Sequence, residues 1–240
     1  MDKILRFSDY DVFGYLASGL ALLVAWDLAL GTNLVLGSQW SVADAALAIA
    51  GGYVVGHIVA TFSSEFIEIR LVRGWLGAPS VVLLAEGPPT SGLRGWLART
   101  VLAEYFRPLG ARMRALVHAR ALADGCEAAS GEALFAAAYG PATRDPATFA
   151  RMEAFLKLYG FARNLAFVCL VATPVLLVAA AWVAITPGGR TGIETLGHAV
   201  LAALIGIGML HRYLKFYRRF STVVLGAYAE TPAPEKEANT

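Results

Sequence analysis

Apolar positions along this chain gather into four long runs separated by polar stretches. The first, residues 12–30, is interrupted by Tyr15, Ser18 and Asp27. The second, residues 43–62, has few polar groups beyond Asp44, His57 and Thr61. The third is residues 165–185. The fourth, residues 196–214, contains His198, His211 and Arg212. At about 1.5 Å per residue a helix of this length crosses the roughly 30 Å hydrocarbon core of a bilayer. Short polar connections through Gly31-Thr32-Asn33 and Gly188-Gly189-Arg190 join the runs pairwise. The pattern predicts an all-α polytopic membrane protein with four transmembrane helices in two hairpins.

Local signals set the helix ends. Ser41 and Asp44 have the spacing of an N-terminal capping box, with Asp in place of the usual Glu. That second helix continues past the apolar run through Ser63, Ser64, Glu65, Glu68, Arg70 and Arg73 to Gly74. Asp145-Pro146 reads as a carboxylate cap followed by proline at the first helical position. No stop follows before Pro187, so a helix of roughly 60 Å is predicted, bent at Pro174. Between the hairpins the pattern changes. Residues 78–84 form a short apolar run between breakers, either strand-like or interfacial. Helical spacing recurs over 92–105, 109–123 and 131–139. The chain thus divides into a first hairpin (1–73), a helical insert (74–145), a second hairpin (146–220) and a C-terminal tail (221–240). The tail's polar, proline-bearing end is expected to be partly disordered.

Composition agrees with this reading: 57% of the 240 residues are hydrophobic and 16% charged, too little charge for a soluble domain of this size. Charge placement sets the orientation. Of the 20 Lys and Arg residues, all but Arg190 fall before the first run, between the second and third, or at and beyond the end of the fourth. By the positive-inside rule both termini and the insert face the cytosol. Arginine far outnumbers lysine, as in a GC-rich bacterial genome, so a bacterial inner membrane is the expected home. Cys126 and Cys169, the two cysteines, form no disulfide scaffold.

The chemistry on offer is sparse. Counting outward from the span centres places Asp9, Asp11, Glu65, Arg163, Asn164 and Lys215 at one depth, the inner membrane boundary, with Arg212 about a turn away. His57, Thr61, Ser64 and Glu68 follow at helical steps, with Glu65 beside them. His57 and His211 lie deeper. A polar layer is expected in which Glu65 or Glu68 pairs with Arg163 or Arg212, because a lone charge at that depth is costly. Such a layer serves either as a clasp or as a proton- or ligand-handling site. Asp27, near the outer boundary, is read as a cap or a solvated group. Gly52/Gly56 and Ala202/Gly206, small residues four apart, allow close helix packing within or between chains.

Of the four histidines only His57 and His211 approach a common depth, neither has a Cys, Asp or Glu at ligand spacing, and no cofactor or metal is expected. Arg107, Arg112, Arg114 and Arg120, and the collar Arg212–Arg219, suit lipid headgroups better than nucleic acid. No catalytic motif is present. Two functions remain: a non-enzymatic, homo-oligomeric or partner-binding membrane component with a cytosolic sensing or effector face, or a small ion or proton channel or carrier using the polar layer.

Overall fold

The computed structural model describes residues 11–33, 35–37, 39–126, 130–186 and 192–231, and all but the side chains of 11–13 among them. Most of the described residues are helical, and none lies in a strand. A π-helical turn, Asp11–Leu16, leads into α1 (Ala17–Leu30). α2 (Val42–Ser63) runs on directly as a π-helix, Ser64–Leu76. Then follow α3 (Pro79–Leu84), α4 (Gly92–Arg99), α5 (Ala111–Ala123), α6 (Gly131–Ala142), α7 (Pro146–Ile185) and α8 (Gly192–Glu230). Among the described residues, three helices are long and apolar enough to cross a membrane: the one beginning at Val42, α7 and α8. Gly14–Leu30, the part of the first helix whose side chains are described, is apolar as well.

Several helix ends follow from local chemistry. The capping box is formed: the Asp44 amide donates to Ser41 Oγ, and the Ser41 amide donates back to the Asp44 carboxylate at 3.0 Å. Asp145 caps α7 by accepting from the Thr148 amide at 2.8 Å. Hydrogen bonds from Thr148 hold its carboxyl below the usual carboxylate range. α7 passes through Pro174 without interruption. α8 continues to Glu230, ten residues beyond the boundary drawn at 220, because residues 214–228 supply a buried face: Leu214, Phe220, Val224, Leu225 and Tyr228. The rest of the expected tail, 232–240, lies outside the described residues. The short apolar run is not strand-like: Pro79–Leu84 is a short helix, with Pro79 at its start.

The chain folds as two compact units, 1–70 with 157–213, and 71–156 with 214–240. In the first, α1 and α2 touch backbone to backbone. A Cβ at Gly19 would overlap the Gly52 carbonyl, and one at Gly56 would overlap the Tyr15 carbonyl. Gly52 faces the Leu20 side chain. Farther along, Ala172, Leu176 and Ala199 form a buried cluster that Ala25, Leu28, Ala29 and Ala202 adjoin. Gly206 faces Cys169, whose Cβ would lie 3.1 Å from an added methyl. The small residues at 52, 56, 202 and 206 are thus used inside one chain. Most other large apolar side chains on these helices point outward, among them Ile58, Val178, Trp182 and Leu204.

In the second unit, Phe106, Val117, Leu134, Met152, Val224 and Tyr228 are buried. Gly77 takes φ +94°, a left-handed conformation that lets the chain turn sharply after the π-helix. Its carbonyl accepts from the Tyr105 hydroxyl at 2.6 Å, and the Leu76 carbonyl accepts from Arg94 at 2.8 Å. Arg73 grips Glu132 through two bonds of 3.1 and 2.9 Å. Those bonds hold the Glu132 carboxyl low, against a smaller effect of burial.

Candidate functional site

The buried polar cluster of the first unit is built from Ser63, Glu68, Arg163 and Asn164. Ser63 and Asn164 are fully buried and Arg163 nearly so. Ser63 Oγ donates to Asn164 Oδ1 at 2.5 Å and accepts from Arg163 Nε at 3.2 Å. Arg163 Nη1 donates to Glu68 Oε2 in an ion pair. Asn164 Nδ2 donates to the Gly14 carbonyl at 2.9 Å. Ser18, one turn along, returns its hydroxyl to the same carbonyl at 2.7 Å. Three chain segments are joined: the turn before α1, the α2–π junction and the middle of α7.

The π-helix explains which side chains meet. Its i→i+5 hydrogen bonds bring residues five apart toward one face. Ser63 and Glu68 both reach Arg163, and Glu65 pairs with Arg70, also five residues on, at 3.0 Å. A continuous α-helix would instead align Ser64 with Glu68, the arrangement the sequence spacing predicts. Ser63 and the Gly14 carbonyl are therefore members that sequence reasoning missed. A pair of serines just inside Glu65 was the available signal for Ser63. A backbone carbonyl leaves none.

The other candidates lie elsewhere. Glu65 is half-buried and turned to Arg70, whose guanidinium also sits 4.9 Å over the Phe66 ring. His57 is exposed; its ring stacks on Tyr15 at 4.1 Å and meets Tyr53 edge-on at 4.7 Å. His211 and Arg212 are exposed. Asp11's side chain and Asp9 lie outside the described residues. Asp27 is not a solvated group: it is buried, and its carboxylate accepts from Thr32 Oγ1 and from the Val35 and Leu36 amides, the two amides at 3.0 Å. It organises the connection after α1. Among the described residues no three His, Cys, Asp or Glu side chains gather as a metal site.

The basic residues divide in the same way. Arg120, expected at the surface, is buried: it donates to Asp124 at 3.0 Å and to the Thr231 carbonyl at 2.5 Å, and lies over Tyr228. Arg114 donates to the Ala85 carbonyl. Arg107 and Arg112 are exposed. In the collar, Arg218 reaches the Tyr105 carbonyl at 3.3 Å and Phe216 packs against Phe155, so it turns at least partly toward protein. Burial pushes the Asp124 carboxyl up, but hydrogen bonds from Tyr228 and Arg120 outweigh it and leave it low. Burial and the bond to Asp124 push the Tyr228 hydroxyl up to about 12.

Compared with known proteins, the chain matches no family model, and neither a curated protein nor a solved structure matches it.

Proposed function

We propose that this chain is a non-enzymatic, multi-pass component of a bacterial inner membrane, homo-oligomeric or partner-binding, whose cytosolic face senses or passes on a signal. Its four apolar helices form two hairpins, with both termini and residues 74–145 in the cytosol. Three membrane-length helices and the one-sided distribution of cations support this topology. The close glycine contacts between α1 and α2 support the first hairpin.

The observation that carries the non-enzymatic reading is the closed polar cluster. Ser63, Asn164, Arg163 and Glu68 direct their hydrogen bonds to one another and to Gly14. A catalytic or transport site needs a polar group turned toward substrate. A clasp needs what is present here: a buried charge pair with its hydrogen-bonding groups engaged, joining separate segments. A carrier would also need a continuous polar path. His57 sits in an aromatic stack, Glu65 pairs with Arg70, and Arg163 belongs to the clasp, three separate groups.

The test is flux in proteoliposomes together with in-membrane crosslinking. The proposal expects proton and ion leak at the level of empty liposomes, and a crosslinked oligomer or a specific partner. Flux that falls on His57→Ala or Glu65→Gln would replace it with the carrier reading.

A further inference from the structure

We infer that the outward face of α4 docks on the surface of an anionic bilayer. This rests on the membrane reading given above. α4 is packed the reverse of an ordinary amphipathic helix. Its small residues, Gly95 and Ala98, face inward, and a Cβ at Gly95 would meet the Thr90 carbonyl carbon at 2.6 Å. Its bulky residues face out: Leu93 is 60% exposed and Trp96 51%, and Val101, just beyond the helix, is 57% exposed. The helix is fixed in this pose by Arg94, which bonds the Leu76 carbonyl, and by Arg99, which bonds the Thr90 carbonyl at 3.0 Å. Trp75, next to Leu76, is also exposed.

Charge selects the occupant. Between Gly92 and Arg107 stand three arginines and a single carboxylate, Glu104, which lies 4.0 Å from Lys215. Tryptophan and leucine beside arginine are the chemistry of the interfacial layer, where the ring sits among headgroups and the guanidinium meets lipid phosphate. Water would leave these apolar groups unpartnered. An acidic lipid surface satisfies both parts, and each arginine near it strengthens the docked state by about fivefold.

The experiment uses the full chain with Cys126→Ser and Cys169→Ala, in nanodiscs of phosphatidylcholine with or without phosphatidylglycerol. A nitroxide is placed at Leu93→Cys or, as a second site, Val101→Cys. Val178→Cys, on the exposed face of α7, is the hydrocarbon reference. The expected result is a label at 93 or 101 shielded from a water-soluble nickel chelate in anionic discs, about threefold or more relative to neutral discs. Arg107→Gln, an exposed arginine that takes no part in those fixing bonds, should remove most of that difference. If the label at 93 and 101 stays as open to the chelate as in water while that at 178 favours oxygen, the inference fails and the membrane reading stands. If 178 is also open to the chelate, the membrane reading itself fails. Dipolar broadening between labels at 93 would overturn the inference in favour of a second copy on this face.

Discussion

Arg163 is the side chain on which most of the clasp turns, since it alone contacts Ser63, Glu68 and Asn164. Arg163→Met takes from the largely buried Glu68 its ion-pair partner, and should cost about 3–5 kcal/mol in detergent unfolding experiments. Adding Glu68→Leu should restore most of that loss, because a buried pair replaced by apolar groups is close to neutral. Ser63→Ala should cost less, about 1–2 kcal/mol. The second unit adds a pH dependence. Glu132 and Asp124 have carboxyls held low, so their contribution is complete above the ordinary carboxylate range and is lost as pH falls below about 4. Tyr228 has the opposite sign: its raised value stabilises the fold below about pH 10, and that part is lost as pH rises toward 12. Asp124→Asn should flatten the acid limb in thermal melts recorded across pH. The charged members of the clasp, and Asn164, were legible from depth along each run. Ser63 was not, because the eye follows α-helical spacing and the chain locally does not. The burial of Arg120 was not legible either: its partners, Asp124, Tyr228 and the Thr231 carbonyl, are brought to it by α8, far along the sequence.

Helices were more legible than their packing. Hydropathy and helical spacing place α2, α5 and α7 to within a few residues, and local chemistry sets the starts of two of them, Ser41/Asp44 for α2 and Asp145-Pro146 for α7. Helical spacing over 92–105 misleads about α4: it ends at Arg99, and its apolar face looks outward. The small pairs 52/56 and 202/206 announced close contacts but not with which partner. Gly19→Ala and Gly56→Ala push a methyl into backbone, which cannot retreat as a flexible side chain can, and should each destabilise by about 1–3 kcal/mol or more. Gly208→Ala, with open space around it, should be neutral or slightly stabilising by thermal shift in the same detergent.

For the molecule as a whole, orientation is the quantity to measure. A reporter fused near Gly87 should be active only in the cytosol, and one near Arg190 only on the other side of the membrane. A reversed result would remove the proposed topology and, with it, the cytosolic face.

The backbone contact at Gly19 and Gly56 also bears on how the surrounding lipid meets this pair of helices. With a carbonyl standing where a side chain would be, the seam between them has no room for an acyl chain, and the pair presents one common wall to the hydrocarbon. A photoactivatable lipid should therefore label the outward face of the pair, at Ile58 for example, and leave the seam unmarked.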